Sequence, residues 1–557
     1  MMKGFCVHAV VPWVCIAAVV VACGSDDTSE GQRLTPGGQG GTSQGGTSGG
    51  AAGSAGRNRG GSAGSGSPGT GGNAGEGTIG DGGSSLGSSG EGGEGAGAGS
   101  GGSSGGGNSG GRSGAGGRNS GGSATGGQSG SGGSNGGTGN GGGSFEPAVF
   151  PLRVSEDERR LEGQDGKPFF LNGEAAWSLM VQLTDEEADA YLRDRAARGF
   201  NLVMVNLLEH DFADDPPRNA YGDGPFTTPN DFSTPDEAYF AHVDGVIERA
   251  NELNIAVLLS PAYLGFNGGT EGWYQVMVQN GVETMRDYGR YVGERYAGFD
   301  NIVWLEGGDY TPPDLSLTNA VAEGIKEFDS RHVHAAHWSP ETSGGEVTVS
   351  GWLDLGTTYT YGPVYVKSLQ DYNRNDGRPH FMMESNYEEE HGSTPSMLRG
   401  QAYYALLTGA FGHVFGHYQI WQFLSTWRGA LGSPGSTGMS HFRALFEGIA
   451  WTTLIPDQDH EILTGGLGEE GSREYAVLAA SADGSLAVAY LPTVRGATID
   501  LGRLAGPVRA RFYDPSDGSF SEVSGSPFDA SGSRTFTAPG DNASGASDWV
   551  LVLDTAP

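Results

Sequence analysis

Residues 301–310, NIVWLEGGDY, hold the reading of the chain. The apolar run from Ile302 to Leu305 suits a strand covered on both faces, as in a parallel sheet flanked by helices. It ends in two glycines and an aspartate. Glycine weakens a strand and permits backbone turns that other residues resist. The stretch therefore predicts a buried strand that stops abruptly and presents a carboxylate at its C-terminal end.

The same motif of an apolar run followed by a helical pattern recurs outward in both directions. Residues 169–177, 201–208 and 255–264 predict three strands before it, and 333–340, 353–361, 379–387 and 412–423 predict four after it. Helix signals lie between them. Thr184 and Glu187 form a capping box, and Gly199 stops the helix that follows. Thr234 with Pro235 predicts a second helix start, and Thr394 with Pro395 another. Residues 285–296 and 439–452 supply further helices. Eight strand–helix units between residues 145 and 455 predict a (β/α)8 TIM barrel. An open doubly wound sheet is the alternative, but no glycine-rich phosphate loop follows the first strand. From 456 to 557 the helical period disappears. Short alternating runs separated by Asp-Gly turns predict a small β-sandwich.

The remaining chain is of another kind. Of 557 residues 102 are glycine, most of them between 31 and 144 among Ser, Asn and Thr. Such a segment has too little apolar surface to offset the entropy of ordering, so it reads as a disordered linker spanning roughly 50–65 Å root-mean-square. Ahead of it, Lys3 and the apolar run 9–22 suit a signal peptide over residues 1–22, being shorter than the ~20 apolar residues of a spanning helix. The run ends in Val-Val-Ala-Cys, similar to a bacterial lipobox, which makes Cys23 a candidate lipidation site and residues 23–144 a tether. By resemblance to Gram-negative lipoproteins, Gly24 implies the outer membrane or cell surface. The expected membrane contact is that lipid anchor alone. All three cysteines lie in the first 23 residues, so the folded part has no disulfide and no cysteine-bound metal. A formal net charge of −34 argues against a nucleic-acid partner.

Barrel enzymes place their chemistry at the C-terminal ends of strands. Asp309 ends the fourth predicted strand and Glu384 the seventh, on opposite sides of a ring of eight. Trp177, Asn206, Glu209, Tyr263, Tyr310, His337, Trp338, Tyr361, Glu388 and Trp421 fall near other strand ends. Aromatic faces that cover the C–H face of a sugar, with carboxylates to cut beside it, are the components of a glycosidase site. Glu306 is the rival acid on strand four and Glu388 on strand seven. Glu306 has the opposite pleat parity from Asp309, shared with Ile302 and Trp304. Parity also separates His334 from His337, so this pair is a poor metal chelate, and no metal or other cofactor is expected. The two glycines are expected to turn the backbone and to let substrate approach it closely.

The segments NGEAAWSL (172–179), RAARGFNLVMVN (195–206), YFAHVDGVIERANELNIAVLL (239–259), NIVWLEGGDY and ESNYE (384–388) resemble the apiosidase-like glycoside hydrolases. The likeness spans about residues 150–455. It implies a (β/α)8 barrel, a carbohydrate substrate, Asp309 as acid/base and Glu384 as nucleophile or base. The tail resembles the β-domain appended to that family under a collagen-binding label. Two departures flank the implied pair: Ser385 and Asn386 follow Glu384 where the family often has proline, and Glu306 replaces a common apolar residue. Apiose release is therefore one candidate among other glycan-directed activities. A non-catalytic glycan- or matrix-binding lipoprotein on the same scaffold is the competing expectation. Sugar, linkage, endo or exo action and oligomeric state are left open by these motifs.

Overall fold

The computed structural model describes residues 146–348 and 350–555. The expected signal segment, Cys23 and the linker to residue 144 lie outside the described residues.

Eight parallel strands form the central sheet: β1 (Leu171–Ala175), β2 (Leu202–Asn206), β3 (Ala256–Ser260), β4 (Ile302–Gly307), β5 (His334–His337), β6 (Gly356–Tyr359), β7 (His380–Glu384) and β8 (Gly412–Phe415). The ladder runs β5-β4-β3-β2-β1-β8-β7-β6, with β8 beside β1. At the seam between β5 and β6 there is no regular ladder. It is closed instead by Asp354 and Leu355 N–H groups donating to the His334 carbonyl at 2.9 and 3.0 Å. The Thr357 hydroxyl adds a bond to the Ala336 carbonyl at 2.7 Å. The result is a nearly closed barrel.

Pleat alternation sorts the side chains of β4 as expected. Val303 and Leu305 point into the barrel with Met204, Leu258 and Met383. Ile302 and Trp304 pack outward against the helices. All four are buried to 1% or less, and each such burial contributes roughly 1.5–3 kcal/mol. Leu161 and Phe169, from a small three-stranded sheet ahead of β1, and Leu152 just before that sheet join the inward cluster. The C-terminal end of the barrel is left for a pocket.

The outer layer comprises α1 (Asp185–Ala197), α2 (Glu237–Glu252), α3 (Tyr274–Tyr296), α4 (Ser316–Phe328), α5 (Val364–Tyr372), α6 (Pro395–Leu407) and α7 (Pro434–Glu447). The Thr184 capping box and the Thr394 cap form as read. The last helix lies at Pro434–Glu447 and not at 439–452, because Ser433 caps it with Pro434 at its first position; two further expectations fail. The second helix is capped by Asp236, whose carboxylate accepts from Ala238 N–H, because Thr234 is held in a turn by Asp231. The eighth strand ends at Phe415 and not at 423. His417 then caps a one-turn helix, Tyr418–Trp421, so Tyr418, Ile420 and Trp421 are helical.

Residues 454–555 form two antiparallel sheets. The larger has six strands in the order Leu454–Pro456, Val477–Ser481, Leu486–Leu491, Trp549–Thr555, Val508–Tyr513 and Phe520–Glu522. The smaller contains Leu463–Gly465, Gly496–Asp500 and Ser533–Thr537. Leu478, Ala489, Leu551, Ile499 and Phe536 are among the residues that fill the space between them. The other face of the six-stranded sheet packs on α6: Tyr403 stacks on Tyr490 with centroids 5.0 Å apart. Arg399 of α6 makes a bidentate pair with Asp548 at 2.9 and 2.7 Å, both side chains at most 2% exposed. Removing one partner of such a pair leaves an unmatched buried charge, at a cost of about 3–5 kcal/mol. Arg399→Ala should therefore lower the midpoint of urea unfolding clearly. The double variant Arg399→Met/Asp548→Leu should recover part of the loss.

Candidate active site

The chain after β4 bends through Gly307 at φ 97° and Gly308 at φ 138°, and Asp309 itself is left-handed at φ 53°. A Cβ on Gly307 would lie 2.3 Å from the His337 carbonyl oxygen. One on Gly308 would lie 2.4 Å from the Tyr263 ring. The sharp turn is as expected, but the close approach has a different cause. The glycines admit neighbouring strand ends, and Gly308 N–H donates to the His337 carbonyl at 2.8 Å.

This bend carries Asp309 into a cavity of about 180 Å³ at the C-terminal ends of the strands. Trp177, Asn206, Tyr263, His337, Tyr361, Glu384 and Trp421, all anticipated from sequence, line it with Asp309. Phe212, Phe266, Tyr387 and Glu390 also line it and were not anticipated. A larger groove, about 530 Å³, lies at the N-terminal end of the barrel around Tyr372, Phe411 and Trp451. It lies away from the carboxylates at the strand ends, so the smaller cavity is the better candidate.

Two hydroxyls orient Asp309. Tyr359 donates to one carboxyl oxygen at 2.9 Å and Tyr263 to the other at 3.4 Å. Tyr359 is in turn 3.0 Å from the Tyr361 hydroxyl. Trp177 forms one wall, stacked on His337 at 5.6 Å and 15°. Its indole N–H donates to the Tyr387 hydroxyl at 3.1 Å. His337 Nε2 stands 3.2 Å from Glu384 Oε2, close enough to attract but poorly aligned for a hydrogen bond. Across the pocket, Trp421 donates to Glu390 at 2.9 Å.

Burial, and then the charge of Glu384, push the Asp309 carboxyl up to about 6. His337 and the two tyrosine hydroxyls oppose that rise. Burial holds Tyr263 and Tyr359 well above the usual phenol range, with the nearby carboxylates adding to it, so both stay neutral donors. Burial also raises Glu390. Asn206 Oδ1, both His337 ring nitrogens and Glu384 Oε2 are buried without a hydrogen-bond partner in the protein. Each such atom costs about 1–3 kcal/mol unless something pairs with it. Four around one cavity suit a ligand rich in hydroxyl groups.

Four anticipated residues lie elsewhere. Glu209 folds onto its own loop, accepting from the N–H groups of His210, Asp211 and Phe212 at 2.9–3.2 Å and from Asn206 at 3.1 Å. It supports the wall without lining it. Trp338 points into the outer layer, bonded to Thr348 at 3.1 Å. Tyr310 packs on Tyr274. Glu388 accepts from Gly435 N–H at 2.9 Å at the start of α7. The rival Glu306 is buried behind β4, 3.3 Å from His334, with burial pushing its carboxyl up to about 8. His334 and His337 do point to opposite faces.

The profile described as "Apiosidase-like, catalytic domain" matches residues 155–453. The chain belongs to the apiosidase-like family. A second profile, "Putative collagen-binding domain of a collagenase", matches residues 455–554. No curated protein matches this apiosidase-like chain in sequence. Among the solved structures that share its fold are the following two. One, titled a glycoside hydrolase, is 24% identical with a TM-score of 0.65, covering 74% of this chain and 99% of its own. The other, a glycoside hydrolase family 5 protein from Bacteroides vulgatus, is also 24% identical, with a TM-score of 0.64 and coverages of 74% and 95%.

The raised Asp309 carboxyl predicts a stability effect. The unfolded chain ionises this group near 3.8, the folded one only near 6. The cost of carrying the buried charge therefore builds up as pH rises between those values and is complete above about 6. Its ceiling is on the order of 2–3 kcal/mol. Asp309→Asn should be more stable than wild type at pH 8, with the difference disappearing near pH 4 in paired urea titrations.

Proposed function

We propose that this apiosidase-like protein is a glycoside hydrolase in which Asp309 is the acid/base and Glu384 the nucleophile or the base that activates water. The observation that supports it most is the pairing of Asp309 with Glu384 in one aromatic-walled cavity, where burial and the charge of Glu384 raise the Asp309 carboxyl. Glycoside cleavage needs two carboxyls in different protonation states, and unequal environments supply the difference. Protonated Asp309 would give its proton to the glycosidic oxygen as the bond to the anomeric carbon breaks. Glu384 would either bond to that carbon or take a proton from the attacking water. In the first case water later releases the sugar, and Asp309 recovers its proton from it. Tyr359 and Tyr263 fix the rotamer of Asp309, and His337 braces Glu384.

The cavity also suggests which sugar residue is cut. Asp309, Glu384 and Glu390 line it, with no lysine or arginine among the lining residues. A uronate carboxylate there would meet like charge without a cation, so the residue released should be neutral. Apiose satisfies this, as do other neutral pentoses and hexoses.

Anchoring at the cell surface through Cys23 is proposed alongside, supported by the sequence of residues 1–24. Fatty-acid labelling in a bacterial host should tag the wild type and spare Cys23→Ala.

With a panel of neutral and uronic glycosides, turnover should appear on a neutral member only. Asp309→Asn and Glu384→Gln should each lower kcat by about 10²–10⁴ while sugar binding persists. The anomeric configuration of the first product, followed by NMR, distinguishes the two roles of Glu384. Binding without turnover by the wild type on every member would support the binding-protein alternative.

A further inference from the structure

The C-terminal sandwich reaches the rim of the pocket. Its loop 467–475 closes on itself through Ala476 N–H donating to the Leu467 carbonyl at 2.7 Å. Helices of the barrel hold that loop in place. Tyr404 of α6 donates to the carbonyls of Arg473 and Tyr475 at 2.7 and 2.8 Å. Tyr365 of α5 stacks on Tyr475 at 5.0 Å and 15° and accepts from Gly471 N–H. From this fixed base Arg473 donates to the backbone carbonyl of Tyr361.

Tyr361 has reason to need a second support. It is 41% exposed, directly after β6 and before Gly362 and Pro363. On the barrel side, Glu341 accepts from its N–H at 3.0 Å. Its ring lines the cavity, and its hydroxyl is 3.0 Å from that of Tyr359, which donates to Asp309. Three successive contacts thus run from the sandwich to the Asp309 carboxyl.

We propose that Arg473 is a positioning residue and that the sandwich completes the active-site rim by holding Tyr361 through its backbone. The domain is then part of the catalytic unit, whatever else it binds. A displacement of Tyr361 would alter the wall against which the sugar rests and remove one partner of Tyr359. Small displacements of positioning groups are costly to catalysis even far from the reacting bond.

The kinetic part of this inference rests on the glycosidase reading; the structural part does not. Both are tested on the full chain with Arg473→Ala, Arg473→Lys and, as control, Arg509→Ala. Arg509 belongs to the same domain, and its guanidinium pairs with Glu522 on the surface. In Arg473→Ala, amide exchange in peptides covering residues 356–366 should speed up by about two- to tenfold, the factor that one net hydrogen bond converts to. The effect on kcat/KM should be of the same size, carried mainly by KM and partly rescued by lysine, with thermal unfolding nearly unchanged. Tyr361→Ala should abolish the kinetic effect of the second substitution. Unchanged exchange in residues 356–366 would overturn the proposal. So would faster exchange with unchanged kinetics in an active enzyme. If the wild type cleaves no glycoside, the glycosidase reading fails, and the exchange result still decides whether Arg473 holds Tyr361.

Discussion

The packing of Gly307 and Gly308 between the ends of β3 and β5 is the constraint on which the candidate site depends. Any side chain at either position would collide with the His337 carbonyl or the Tyr263 ring. Without a side chain, the backbone can leave β4 at positive φ and deliver Asp309 over the barrel mouth. The same close approach brings Tyr263 and His337 to the cavity, one beside each carboxyl of the pair. One steric fact therefore sets the position of the acid, a hydroxyl that orients it and the imidazole that faces Glu384.

Electrostatics then differentiates the carboxyls. Asp309 accepts from two neutral phenols, while the buried Glu384 faces an imidazole. Burial and the charge of Glu384 both raise the Asp309 carboxyl. Glu390 adds a third negative group at the rim, tied to Trp421. Three carboxyls and no lysine or arginine thus line the cavity.

The barrel was legible because β3 and β4 are largely apolar on both faces and the starts of α1 and α6 carry clear capping chemistry. In the opening stretch pleat parity separated Glu306, with Ile302 and Trp304, from Asp309, and the structure keeps that division. Pleat parity also separated His334 from His337. Parity fails once the strand has ended. Tyr310 and Glu388 lie beyond their strands and point away from the cavity, whereas Trp338 keeps the alternation of β5, outward beside the inward His337, so parity alone would have excluded it. Phe212, Phe266, Tyr387 and Glu390 are loop residues too, and tertiary packing alone brings them in. The run after Phe415 misled for a related reason: its apolar residues suit a strand or a helix equally, and the His417 cap selects the helix. A closer look at Glu388-Glu389-Glu390 could have raised Glu390, since three acids just after a strand seldom share one role.

Glu306 and Asp309 come from the same ten residues and show how environment divides like groups. Glu306 is enclosed behind β4 with His334, and burial drives both toward their neutral forms: the carboxyl up to about 8, the imidazole well below its usual value. Lys326 on α4 opposes the shift of Glu306 without cancelling it. A neutral Glu306 adds no negative field behind the strand that carries Asp309. Were it ionised, its charge would raise the Asp309 carboxyl further. The uncommon acid beside the glycines is thus compatible with catalysis because it is buried deeply enough to remain uncharged. A hydrophobic residue there would satisfy the same electrostatic requirement, and Glu306 meets it by protonation.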